Sequence, residues 1–177
     1  MSPILFIIAI NLLVFVFVNI RPDIISYLWL QPAGIWQHPW QLVTSMFTHS
    51  EFYHIFANML TLYFFGSAVL QLLGEKRFWL VYLAGGIVGG LAFILMAPGS
   101  VAIGASGAVF ALGGVLAVLR PNLRVYIFPI PVPLPLWGAV LGGFVLVSFL
   151  ANVAWQAHLG GIVLGAAVGY YYKRKGY

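Results

Sequence analysis

The sequence predicts an all-α polytopic membrane protein: a bundle of six transmembrane helices in a single domain, 1–177, with a long interfacial first loop. Three observations carry that prediction. The chain is 63% hydrophobic and 6% charged, with a mean hydropathy of +1.04, a mix that would aggregate in water but suits a bilayer. Its apolar residues fall into six runs separated by proline, glycine and basic residues. Those basic residues stand in the connections between the runs and form no continuous patch, so the net charge of +5 reads as membrane topology and not as a nucleic-acid surface. With no cysteine, the chain has neither a disulfide framework nor thiolate metal ligands.

Each element follows from its neighbours in the chain. Ser2 to Ile20 is a long apolar run that lacks a basic leader and a small-residue cleavage site, and it is expected to be the first span, not a removable signal peptide. Arg21 to about Ser50 holds Pro22, Pro32 and Pro39 together with Trp29, Trp36 and Trp40. Proline opposes a continuous span and tryptophan favours the headgroup region, so short helices resting at the interface are expected there. The second span is 52–73, closed by Gly74-Glu75-Lys76-Arg77, and the third is 78–97, ended by Pro98 and Gly99. A fourth, 106–119, stops at Arg120-Pro121 and is short for a full crossing. Pro129, Pro131, Pro133 and Pro135 punctuate the next connection, the fifth span is 134–150, and a brief loop with Asn152 precedes the sixth, 155–172.

Charge sets the sides. With six spans both ends of the chain share one side, and that side collects Lys76, Arg77, Arg120, Arg124, Lys173, Arg174 and Lys175 against Arg21 opposite. The ends are therefore expected in the cytoplasm and the membrane is read as the plasma membrane. His38, His49, His54 and His158 then lie on or toward the outer side.

Depth brings four polar residues to one layer. At about 1.5 Å per residue, Ser106 lies about 21 Å along its helix from Arg120 and His158 about 22 Å along its own from Lys173. On the second span, Asn58 and His54 come out about 25 Å and 31 Å above Glu75, just over the level of the serine. Gly161, Gly165 and Gly169 recur every fourth residue on the sixth span and Gly113 follows Ser106 by seven, small faces on which the fourth and sixth helices are expected to close.

Three motifs now stand in order on the appropriate spans: His54-Ile55-Phe56-Ala57-Asn58, Gly104-Ala105-Ser106-Gly107, and His158 within Ala157-His158-Leu159-Gly160-Gly161. With the six spans and the long first loop, the chain resembles a rhomboid intramembrane serine protease over nearly its whole length. The chemistry is consistent with the likeness, since a serine hydroxyl needs a base within hydrogen-bond reach and His158 shares its depth. Asp23, Glu51 and Glu75 all lie away from that layer, so a Ser106/His158 dyad is expected, as the resemblance implies. Phe110, one turn after Ser106, is positioned to hold the imidazole by stacking, where rhomboids often carry tyrosine. The resemblance also implies an oxyanion hole from His54, Asn58 and the Ser106 backbone N–H, with Gly104 and Gly107 of the motif as supporting residues and His49 holding water or ordering the loop. Trp40-Gln41 stands where some relatives have Trp-Arg, which leaves any arginine bracing of the first loop in question.

Each residue taken singly has a plainer reading. A membrane serine commonly hydrogen-bonds backbone or packs between helices, and His54 with Asn58 could be an interfacial polar pair. His158 is the exception, because an ionisable group inside a membrane is a functional hypothesis by default. The sequence therefore points to a serine endopeptidase acting on transmembrane protein substrates in the lipid bilayer, with no metal, organic cofactor or nucleic-acid partner implied. An inactive rhomboid-like adaptor or chaperone, and a small transporter, stay open as other readings.

Overall fold

The computed structural model describes residues 2–126, 131–150 and 153–176; Pro129 and Asn152 lie outside them. Helix dominates. Helix α1, Pro3–Ile20, begins with proline, whose fixed φ suits a first helical turn and whose missing N–H is not needed there. The first loop carries two one-turn helices, α2 (Ile25–Leu28) and α3 (Gln41–Thr44), with 3₁₀ turns at Pro22–Ile24, Pro32–Gly34 and Ser45–Phe47. The long helices that follow are α4 (Phe52–Leu73), α5 (Glu75–Met96), α6 (Ser106–Leu119), α7 (Leu136–Ser148) and α8 (Trp155–Lys175). A small antiparallel ribbon, β1 (Arg124–Val125) with β2 (Leu134–Pro135), precedes α7.

Four boundaries differ from the sequence expectation. The stretch Glu75-Lys76-Arg77 is the first turn of α5 and not a loop, because Gly74 alone makes the reversal at φ +80°, a conformation that suits glycine. Leu134 and Pro135 pair as a strand, so α7 starts at Leu136. That helix stops at Ser148, short of Leu150. Helix α8 continues through its basic residues to Lys175, where positive charge is favourable at a helix C-terminus.

Three helices, α1, α4 and α5, are long and apolar enough to cross a membrane by length and composition, with α6 and α7 shorter apolar helices. Helix α6 is the centre of the bundle. It buries Gly107, Leu112, Gly113, Val115 and Leu116 on all its sides, as expected of a helix that is apolar all round. The outer helices instead present large apolar side chains such as Leu13, Leu95 and Val163 outward, the pattern of a surface facing lipid.

Glycine lets the neighbours of α6 come close. A β-carbon on Gly161 would strike the Gly107 carbonyl oxygen, and one on Gly165 the Ala111 carbonyl oxygen. One on Gly169 would lie 2.9 Å from the Val115 carbonyl oxygen, and one on Gly114 2.6 Å from that of Ile162. The expectation for Gly113 is corrected: its open side faces Phe65 on α4 and Val140 on α7, and Gly107, Ala111 and Gly114 form the face toward α8.

Candidate active site

The segment leading into α6 is tied down by the first loop. Leu30 and Ala102 form a two-bond antiparallel bridge, Leu30 N–H to Ala102 O at 2.8 Å and Ala102 N–H to Leu30 O at 3.0 Å. The Gly104 N–H donates to the Ser45 carbonyl at 2.8 Å. Gly104 sits at φ +116°, and a β-carbon there would come within 2.7 Å of the His54 ring, so conformation and space both require glycine.

The first loop is itself braced through Gln41, which is 1% exposed. Its Oε1 accepts the Gln31 N–H at 3.1 Å and its Nε2 donates to the Ser26 carbonyl at 3.2 Å. Trp40 Nε1 donates to the Tyr27 carbonyl at 3.0 Å and Thr44 Oγ1 to that of Leu28 at 2.9 Å. An amide thus makes the braces for which an arginine was in question. The sequence signal, a glutamine beside tryptophan in an apolar setting, was visible; its partners were not.

Two helix starts bring the serine and a histidine together. Ser106 is the first residue of α6 and His158 lies in the first turn of α8, and His158 Nε2 is 2.7 Å from Ser106 Oγ. For Nε2 to accept a proton the ring must carry its hydrogen on Nδ1. That nitrogen is buried without a hydrogen-bond partner among the described residues, so no carboxylate orients it. The Phe110 ring does lie against the imidazole, centroids 4.6 Å apart and planes 31° apart, and is backed edge-on by Phe144 at 6.2 Å.

His54 and His49 gather at the same turn, and Asn58 follows His54 by one helical turn on α4. His54 stands over Gly104, and its ring meets that of His49 at 4.8 Å. One Asn58 N–H donates to the His54 carbonyl at 2.9 Å, and the same amide carries a second N–H. His49 is wholly buried and its Nε2 accepts the Ala105 N–H at 3.3 Å. Burial above all, with the nearby His54, pushes the His49 pKa down from 6.5 to about 3, so the ring is neutral and acts as an acceptor. His38 packs on Trp40 in the first loop and is not among these groups.

Beside the serine is a cavity of about 30 Å³ lined by Ser45, Met46, Gly86, Gly104, Ser106 and Ala157 among others. That volume is enough for a water molecule. Met46 and Gly86 were not legible as site residues; the methionine fills the space that the absent side chain of Gly86 leaves.

Comparison with known proteins bears on what this arrangement is. A Rhomboid domain model matches residues 37–175. The chain belongs to the rhomboid family. It is similar to mitochondrial rhomboid protein 1 of Saccharomyces cerevisiae, 34% identical over 151 residues, 73% of this chain and 41% of the relative. RHOMBOID-like protein 1 of Arabidopsis thaliana is 34% identical over 132 residues, 74% of this chain and 34% of the relative. Rhomboid protease GluP of Bacillus subtilis is 34% identical over 127 residues, 71% of this chain and 24% of the relative. This rhomboid thus spans less than half the length of each of these three relatives. Family and apolar helices together make it an integral membrane protein.

Proposed function

We propose that this rhomboid is an intramembrane serine endopeptidase that cleaves peptide bonds in or near transmembrane segments of other membrane proteins. The observation that carries the reading is the 2.7 Å contact between His158 Nε2 and Ser106 Oγ. Ser106 Oγ attacks the scissile carbonyl carbon while its proton passes to His158 Nε2. Collapse of the tetrahedral intermediate breaks the C–N bond, and the imidazolium gives that proton to the leaving amine. Water then attacks the acyl-serine ester with His158 again as base, releasing the acid and restoring the hydroxyl.

The negative oxygen of the intermediate needs donors, each worth about 3 kcal/mol in sites of this type. The Ser106 N–H, in the first turn of α6, has no intrahelical acceptor, and the second N–H of Asn58 and a ring N–H of His54 complete the set. His49 and Gly104 hold the turn that aims the backbone donor. No third catalytic group is needed, because Phe110 and the helix backbone fix the imidazole.

In this reading α1, α4, α5, α6, α7 and α8 are the six spans of one domain, with both described ends of the chain in the cytoplasm. Helix α6, 14 residues long, covers about 21 Å, so its start lies below the outer boundary of a plasma membrane about 30 Å thick in its hydrocarbon core. Water reaches the serine from that side. A peptide bond inside an intact helix is shielded by its own hydrogen bonds, so substrates carry small or helix-breaking residues near the cut. Labelling by a fluorophosphonate probe and cleavage of a model transmembrane substrate in detergent, both lost in Ser106→Ala and in His158→Ala, test the reading. Well-folded wild-type protein that neither labels nor cleaves would favour an adaptor that binds membrane clients without cutting them.

A further inference from the structure

The end of the bundle remote from Ser106 carries a dense group of cations that the proposed chemistry does not use. Lys76 and Arg77 stand in the first turn of α5, and Lys173, Arg174 and Lys175 form the last turn of α8. The two groups belong to one surface, because the Arg77 guanidinium lies 4.6 Å from the centroid of the Tyr172 ring. This corrects the expectation that the basic residues form no patch, since packing joins two groups far apart in sequence. Glu75 is the one acidic residue in that stretch, and among the described residues the recorded ion pair is Arg21–Asp23, elsewhere in the chain. Among the described residues none of the five cations has a carboxylate within ion-pair distance.

Aromatic rings hold three of them, Arg77, Arg174 and Lys175, in place. Arg174 lies 5.5 Å over Tyr170 and Lys175 4.7 Å over Tyr171, while both rings are about half exposed. Tyrosine at the end of an apolar helix sits at the level of lipid headgroups, and a cation stacked on its ring stays at that level without losing its charge. Cations clustered just beyond the ends of membrane helices attract anionic headgroups, and the attraction falls off with ionic strength.

We propose that this surface binds the headgroups of anionic phospholipids, so that the α5 start and the α8 end select phosphatidylglycerol-type lipids over zwitterionic ones from the surrounding bilayer. The partner is the membrane itself, and a phosphodiester under the Arg77 and Lys173–Lys175 cations is the contact.

Spin-labelled phosphatidylglycerol and phosphatidylcholine, compared by electron paramagnetic resonance in phosphatidylcholine bilayers containing the full chain, test this. At low salt the anionic label is expected to associate about fivefold more strongly, the equivalent of one cation's attraction. The preference should shrink toward unity in 0.5 M sodium chloride, a measurement on wild-type protein alone, and in the K173Q/R174Q/K175Q variant. Arg21→Gln, on the first loop, should leave it unchanged. Equal association of both lipids with the wild type, or a preference that survives the triple replacement, overturns the proposal. So does inorganic phosphate competing better than chloride at equal ionic strength, which would mark a site for the free anion.

Discussion

The carbonyl oxygen of Gly107 occupies the space that a β-carbon on Gly161 would need. Gly107 directly follows the serine and Gly161 is three residues past His158, so backbone contact between α6 and α8 sets the distance between hydroxyl and imidazole. Gly161→Ala must push the helices apart. A misplacement of about 1 Å at a reacting pair costs on the order of 10²-fold in rate, and a loss of that size in kcat is expected, with a lowered melting temperature. Gly142→Ala is the comparison, because nothing lies within 4 Å of a β-carbon there. It should stabilise by about 0.5–1 kcal/mol. Equal effects of the two substitutions would show that close approach at Gly161 does not set the site.

Phe110 should matter through its ring face. His158 Nδ1 has no hydrogen-bond partner among the described residues, so the Phe110 ring 4.6 Å away is expected to limit rotation of the imidazole. Phe110→Leu keeps apolar bulk but removes the face, and kcat should fall about tenfold with KM unchanged, as for a group that acts only in the chemical step. Phe110→Tyr should stay near wild type. Steady-state kinetics on a transmembrane substrate decides between this and an imidazole held by helix packing alone, for which Phe110→Leu would keep full kcat.

Hydropathy and spacing made the helices and the polar layer legible, since a largely apolar run such as 2–20 or a histidine four before an asparagine can be counted. What could not be counted was the identity of neighbours. Glu75-Lys76-Arg77 looked like a loop because charges bound an apolar run, yet charge at a helix start is also outside the hydrocarbon and leaves the helix intact. Gly113 and Gly114 are adjacent, and about 100° of helical rotation separates facing α4 and α7 from facing α8; only the packing decides which does which. The Leu30–Ala102 bridge and the Gln41 braces join residues distant in sequence, and no periodicity announces such pairs.

Gln41 should be among the most sensitive residues of the first loop. Gln41→Leu preserves bulk but leaves the Gln31 N–H and the Ser26 carbonyl, bonded at 3.1 and 3.2 Å in the native fold, without their partners. A buried polar group so stranded costs about 1–3 kcal/mol, so a drop of several degrees in melting temperature is expected. Gln41→Glu keeps the acceptor and loses the donor, and should fall between. A first loop that does not depend on these braces would give identical melting curves for all three proteins.

His49 should make folding sensitive to acid. Its pKa is pushed from 6.5 to about 3 by burial and by His54, so between those values the folded chain binds fewer protons at this site than the unfolded chain. Stability from His49 is therefore present in full above about pH 6.5 and is lost as pH falls toward about 3, by up to about 1.4 kcal/mol per pH unit. His49→Gln offers a carbonyl oxygen to the Ala105 N–H, which donates to Nε2 at 3.3 Å in the native fold, but cannot take up a proton. Thermal unfolding in detergent between pH 7 and pH 4 should show a steeper decline for wild type than for His49→Gln. The substitution changes that one ring alone, so the difference in slope isolates it. Parallel curves would mean that His49 is not held neutral against the turn before Ser106.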